Sequence, residues 1–228
     1  MKHLVPLSAA ALLMGAHAPE VTQNPPMSFF ITSAGSGDGA NLGGLEGADK
    51  RCNDLATAAG SRGMTWRAYL SITAENGKAM VNARDRIGRG PWYNAKGVKV
   101  AENVDDLHGP NNKLGKEGSV TESGLTVNGR GDTPNTHDII TGSTLDGRVF
   151  VGDNYDNCKN FTSNSTGSGA TRLGHHDRQG GGDNPTAWNS AHSSRGCSQA
   201  NLVASGGAGR FYCFGAPAAG GGDALKRD

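Results

Sequence analysis

The sequence has few aromatic residues and no excess of charge of either sign. Of its 228 residues, 6% are aromatic and 35% are hydrophobic, and the formal net charge is +1. A nearly neutral chain gives no electrostatic reason to expect binding to nucleic acid or to an anionic membrane surface. Beyond the N-terminal segment no apolar run approaches the length that crosses a bilayer, so we expect no membrane insertion.

Familiar catalytic signatures are also missing. The sequence contains no G-x-S-x-G, no H-E-x-x-H and no P-loop, so we expect a protein that is not an enzyme. Its four cysteines, Cys52, Cys158, Cys197 and Cys213, form no C-x-x-C pair, which argues against a zinc ribbon or a thioredoxin-like centre. An even number of cysteines in an exported chain favours two disulfide bonds, and spacing leaves all three pairings open.

The N-terminus has the pattern of an export signal. Residues 1–18 read as a short basic start, an apolar stretch and an A-x-A-like exit, which predicts a secretory signal peptide. A buried N-terminal helix is the alternative. We expect residues 19–26 to be a linker, 27–215 to form one domain and 216–228 to be a flexible tail. The predicted location is secreted, or periplasmic and cell-surface.

Hydrophobic periodicity within the domain alternates between strand and helix. Alternation predicts a first strand at 27–33, a second at 66–71 and a last one at Arg210–Phe214. Apolar residues at helical spacing predict a helix from Leu45 to Ala59, and a second one over roughly 74–86. The many glycines, 36 in all, indicate long loops between these elements. The pattern is typical of an α+β domain.

Several segments resemble the endostatin domain of collagens XV and XVIII. That family has a G-x-x-G-A-D-x-x-C helix followed by a T-x-R-A-x-L-S strand, and Gly44–Cys52 and Thr65–Ser71 are similar to these two motifs. Asn189–Ser193, which precedes Cys197, and Phe211–Cys213 resemble the family's two closing cysteine segments. The resemblance spans about 29–214, and it extends to bacterial secreted proteins that are often labelled lectins.

The resemblance implies a C-type lectin-like fold: a twisted antiparallel sheet, two helices, long irregular loops and two disulfides. It also implies a pairing of first with fourth and second with third cysteine, which gives Cys52–Cys213 and Cys158–Cys197. The family's own zinc site uses histidines near the mature N-terminus. This chain has none between His17 and His108, so that site does not transfer.

The sharpest polar cluster is a possible metal site. His175, His176 and Asp177 are consecutive, and imidazole with carboxylate is a good ligand set for zinc. Neighbouring residues rarely supply a whole site, so we expect a further ligand from His192 or Asp183. The alternative is that these side chains order a loop through hydrogen bonds.

A second group of residues suggests contact with sugars. Trp188-Asn189 resembles part of the W-N-D signature of calcium-dependent lectins, although Ser190 replaces the final Asp, which weakens the case for calcium. The aromatic rings of Trp92, Tyr93 and Trp188 suit stacking on a sugar, and large apolar side chains also suit a core. The candidate ligand-binding residues are therefore Trp92, Tyr93, Trp188 and Asn189.

These observations favour a secreted, lectin-like binding module. We expect it to recognise an extracellular glycan or matrix component through the loops at 88–147 and 163–192. A zinc hydrolase on the same fold and a protein-binding adhesin are the alternatives. No cofactor is required by the sequence. Zinc, from the histidines, and calcium, from the oxygen-rich stretch at 153–157, are the candidates.

Overall fold

The computed structural model describes residues 25–75, 77–150 and 157–218. The predicted signal peptide, most of the predicted linker, and the tail from residue 219 onward lie outside these ranges, as does most of the oxygen-rich stretch. Within the described part of the chain, no helix combines the length and the apolar character needed to cross a membrane.

The described chain is a mixed α+β fold with a sheet and mostly short helices. In order, its elements are β1 (Phe29–Ile31), α1 (Gly44–Ala58), β2 (Met64–Ala68), α2 (Ala83–Arg86), β3 (Trp92–Tyr93), β4 (Lys99–Ala101), α3 (Val104–His108), β5 (Asp138–Ile140), α4 (Asn157–Phe161), β6 (Arg172–His175), β7 (His192–Ser193), α5 (Gln199–Ser205) and β8 (Gly207–Pro217). The main sheet has the order β1-β8-β5-β6-β7, and β2 also pairs with β8. A separate pair joins β3 to β4.

The long strand β8 carries the core on both of its faces. Phe211 and Cys213 belong to one apolar cluster, which includes Trp66, whereas Tyr212 and Phe214 belong to a second cluster. Successive side chains of a strand point to opposite faces, so the alternation read from the sequence places one pair on each side. The predicted last strand is confirmed and extends further in both directions.

The helix α1 confirms the strongest helix prediction from the sequence. Ala48, Cys52 and Ala56 recur at helical spacing and are buried. Gly47 lets the helix approach the preceding chain closely, because a Cβ at this position would lie 2.2 Å from the carbonyl oxygen of Leu42. The buried stripe of α1 packs against β2 and β8 and aims Cys52 at the last strand.

The second helix, predicted for roughly 74–86, is wrong for most of its length. A bridge between Ile72 and Val81 instead closes a narrow antiparallel hairpin, and Gly77 turns it with a φ of 78°. Only the four residues of α2 are helical. A glycine at this turn suits a tight hairpin, and this local preference overrides the helical spacing of the apolar residues.

Two disulfide bonds join distant parts of the chain. Cys52–Cys213 links α1 to β8, and Cys158–Cys197 links α4 to the segment before α5. This is the pairing that the family resemblance implies. All five residues of α4 have positive φ, between 48° and 65°, so this segment is a left-handed turn held by its side chains and by the inner disulfide.

Removing the outer disulfide is expected to cost more stability than removing the inner one. The two bonds close 161 and 39 residues respectively, and the chain-entropy model gives about 5 and about 4 kcal/mol. Urea unfolding of the double variants Cys52→Ala/Cys213→Ala and Cys158→Ala/Cys197→Ala measures the difference. A larger loss for the inner pair would show that the entropy of the unfolded chain does not set the order.

Candidate metal centre

The sheet register brings four polar side chains to one place. Asp138 in β5 lies directly opposite His175 in β6, and His192 in β7 lies opposite Leu173. Opposite residues, and residues two apart along a strand, share one face of a sheet. Asp138, His175 and His192 therefore lie on the same face of three neighbouring strands, and His137 adds a fourth group from the residue before β5.

The carboxylate of Asp138 is the centre of this cluster. Its Oδ1 lies 3.3 Å from the Nε2 atoms of His137, His175 and His192. Ligand atoms of His137, Asp138 and His175 all lie within 4.8 Å of one another. Two ligands placed tetrahedrally about a zinc ion, each about 2.0–2.1 Å from it, are separated by about 3.3 Å. The spacing of the cluster is therefore that of metal ligands.

The opposite nitrogen of each imidazole faces a hydrogen-bond acceptor. His175 Nδ1 lies 2.7 Å from the carbonyl oxygen of Pro185, and His192 Nδ1 lies 3.0 Å from that of Ser193. His137 Nδ1 lies 3.3 Å from Oδ1 of Asp177. Because these partners only accept, each Nδ1 carries the proton, and a neutral ring then presents a lone pair at Nε2. All three lone pairs face Asp138.

This arrangement leaves the buried carboxylate without donors. Neither oxygen of Asp138 forms a hydrogen bond within the described chain, and neither does Nε2 of His175. Burial disfavours the charged carboxylate, and only protons on Nε2 of His175 and His192 offset this and lower the pKa of Asp138. An ionised carboxylate among imidazole lone pairs lacks a positive partner, which a metal cation supplies.

Asp177 contacts the cluster through His137. Its Oδ1 also accepts from the backbone N–H of Gln179, and its Oδ2 accepts from that of Arg130. Burial raises the pKa of Asp177, but the hydrogen bonds from His137 and from these two N–H groups outweigh it and hold the pKa well below its usual value. The ionised carboxylate fixes the orientation and tautomer of His137, a role that carboxylates commonly have beside metal-binding histidines.

A glycine-rich loop packs directly on two of the imidazoles. A Cβ at Gly180 would lie 2.1 Å from Cε1 of His175, and a Cβ at Gly182 would lie 2.8 Å from Cβ of His192. Gly181, between them, has open space where its Cβ would be. Only residues without side chains at the two outer positions allow the loop to lie this close to the cluster.

Of the three consecutive residues predicted as metal ligands, the structure places one in the cluster. His175 is a member, and Asp177 acts through His137. His176 lies outside the group, and its Nε2 donates to the carbonyl oxygen of Asn128 at 3.1 Å. Burial lowers the pKa of His176, so its ring is neutral. The strand β6 ends at His175 and the chain turns at His176, which separates the two imidazoles.

The structure also distinguishes between the two candidates for a further ligand. His192 lies in the cluster, whereas Asp183 forms an ion pair with Arg172 at 2.7 Å. Sequence reasoning missed His137 and Asp138. Their only signal is a histidine and an acidic residue directly before an apolar pair, which is too short to predict which distant strand they face.

The predicted sugar-contacting residues lie mostly in the core. The side chains of Trp92 and Trp188 are 1% and 3% exposed, and both pack among other aromatic rings. The amide of Asn189 donates to Oη of Tyr69 and to two backbone carbonyls. Tyr93 is half-buried. The contact of these residues with a ligand stays a prediction, and Tyr93 is the one among them with substantial exposure.

Comparisons with known proteins do not assign this arrangement to a family. No protein-family model matches the chain. No curated protein matches it either.

Replacing Asp138 with Asn is expected to stabilise the metal-free protein. The amide removes a buried charge, keeps the shape of the side chain, and can donate to an Nε2 lone pair. In chelator at about pH 8, above the ordinary pKa of histidine, we expect Asp138→Asn to unfold with a free energy higher than that of wild type by about 1–3 kcal/mol. Urea unfolding monitored by circular dichroism measures this difference in unfolding free energy.

The matched control is Asp54→Asn, a surface position paired with Lys50, for which the change should stay within about 0.5 kcal/mol. A loss of stability in Asp138→Asn under the same conditions would contradict the described environment of the carboxylate.

Proposed function

We propose that the protein binds one divalent transition-metal ion, with zinc the best fit, through His137, Asp138, His175 and His192. The observation that carries the proposal is the common orientation of the imidazoles. Each Nδ1 faces an acceptor, so each Nε2 lone pair faces one buried carboxylate oxygen that has no donor. Hydrogen bonding among these groups leaves the carboxylate unsatisfied, whereas a cation satisfies all of them at once.

The ligand set favours zinc over calcium. Calcium takes six to eight oxygen ligands, whereas this cluster offers three imidazole nitrogens and one carboxylate. Nitrogen-rich sets of this size suit zinc and its neighbours among the first-row metals. The oxygen-rich stretch that suggested calcium lies almost wholly outside the described residues.

The position of the site suggests that the ion stabilises the fold. It bridges β5, β6 and β7, and β7 is an edge strand of two residues that pairs only with β6 among the described strands. The outer disulfide lies elsewhere, between α1 and β8, whereas the inner one joins α4 to Cys197, four residues after β7. An ion that binds the folded chain and not the unfolded one shifts the folding equilibrium by mass action. Metal binding thus joins three strands that no disulfide links directly to one another.

The proposal also includes the fold class and the location of the protein. We infer a C-type lectin-like domain similar to endostatin, secreted through an N-terminal signal, with the metal as part of its scaffold. The observed disulfide pairing and the order of α1 followed by β2 support this inference, and two disulfides are typical of oxidising compartments. Within this proposal the loops between the elements recognise an extracellular glycan or matrix component.

Metal titration tests the proposed function directly. Protein freed of metal by chelator should bind one equivalent of Zn²⁺ in isothermal titration calorimetry, and His175→Ala should abolish the binding because a buried ligand is lost. His176→Ala is the matched control, since it removes the neighbouring buried imidazole and leaves the cluster intact. Loss of binding in both variants, or in neither, would overturn the proposed ligand set.

The glycine loop provides a second test at a distance from the ligands. Gly180→Ala should weaken Zn²⁺ binding by about tenfold or more, because the new methyl group displaces the imidazole of His175. Gly181→Ala should leave the affinity unchanged, since its Cβ meets no atom within 4 Å. Equal affinities of the two variants, measured by competition with a chelating dye, would show that the loop does not position the ligand.

A further inference from the structure

The ligands of the proposed site are not equivalent. The side chains of His137, Asp138 and His175 are 6%, 0% and 1% exposed, whereas that of His192 is 23% exposed. The first three also form the compact group, with every ligand atom within 4.8 Å of the others, and His192 does not belong to that group. The cluster therefore consists of a buried set of three ligands and one lateral ligand on the solvent side.

The hydrogen-bond acceptors at the Nδ1 atoms of the imidazoles also distinguish His192 from the other ligands. His137 is held by Asp177, which follows β6, and His175 is held by the carbonyl of Pro185 from the glycine-rich loop. These partners belong to other parts of the fold. His192 Nδ1 instead bonds to the carbonyl of the next residue, Ser193, which moves with it. His192 also lies in an edge strand of only two residues, which pairs only with β6 among the described strands.

We propose that His192 is an exchangeable ligand, and that a small external anion, such as a carboxylate, replaces it on the metal ion. This inference rests on the proposed metal binding. The buried set of three holds the ion permanently, and the fourth position opens to solvent when His192 moves away. A metal site with three protein ligands and one exchangeable position can recruit an external ligand, whereas a site with four fixed ligands is closed.

The charges favour an anion in that position. A divalent ion bound by one carboxylate and by neutral imidazoles keeps one net positive charge, which an incoming carboxylate or azide neutralises. In the exchange the bond from the metal to Nε2 breaks and a bond from the metal to the anion forms, with no change of oxidation state.

Cobalt substitution makes the exchange visible, because the visible absorption of bound Co²⁺ reports its ligands and that of Zn²⁺ does not. We expect His192→Ala to keep Co²⁺, with a loss of affinity far smaller than that in His175→Ala. We expect it to bind azide at least about tenfold more tightly than wild type, because His192 no longer competes for the position. His175→Ala should lose Co²⁺ altogether. His192→Gln is a second variant that keeps more of the side chain's packing, and circular dichroism checks that each variant is folded.

The outcomes separate the two proposals. Failure of the wild-type protein to bind Co²⁺ or Zn²⁺ overturns metal binding itself, and the exchange with it. If wild type binds Co²⁺ and both His192 variants lose it as completely as His175→Ala does, His192 is a permanent ligand and only the exchange is overturned. Retained Co²⁺ with a spectrum that azide leaves unchanged in the His192 variants also overturns it, since the position is then closed to anions.

Discussion

A buried carboxylate that faces only lone pairs is the constraint on which this account depends. Asp138 has no exposed surface, forms no hydrogen bond through its side chain within the described residues, and lies 3.3 Å from three imidazole nitrogens. A folded protein resolves such an arrangement with a positive charge. One source is a proton on an imidazole, and the pKa of His192 is indeed raised by Asp138. A proton on one ring leaves the other two lone pairs directed at the carboxylate, whereas a metal ion is bound by all of them.

The rest of the fold places these groups. β8 fixes β5 on one side, and β5 fixes β6 and then β7, so the register of three strand pairs sets the positions of the ligands. The outer disulfide joins α1 to β8, and so it fixes the strand from which this series of strand pairs begins. The metal site lies at the opposite end, where the sheet is narrowest. The outer disulfide and metal coordination thus act on different parts of one sheet.

Local chemistry made part of the fold predictable. The helical spacing around Cys52 and the alternation from Phe211 to Phe214 each reflect one buried face, and such patterns are visible in a single segment. The helix α5 was missed although its signals are present: Ser198 caps its start through the N–H of Asn201, and Gly206 ends it with a φ of 113°. The hairpin at Gly77 was not predicted, because the apolar residues around it have helical spacing and the glycine that favours a turn is a single residue.

The candidate site was predictable only in part, because it depends on contacts between distant segments. His175 was predictable because His176 and Asp177 follow it directly. Of these two neighbours, His176 points away from the cluster and Asp177 acts through His137. His137 and Asp138 carry no motif, and strand pairing alone brings them opposite His175. A single sequence gives composition and periodicity, whereas register between strands is a property of the folded chain.

X-ray absorption at the zinc edge of the metal-loaded protein tests the central claim most directly. We expect a shell of nitrogen and oxygen at about 2.0 Å with the multiple scattering of at least two imidazole rings. It predicts no sulfur at about 2.3 Å, because all four cysteines are in disulfides. A shell of oxygen atoms without imidazole scattering would contradict it, since the ion would then be bound somewhere other than among these histidines.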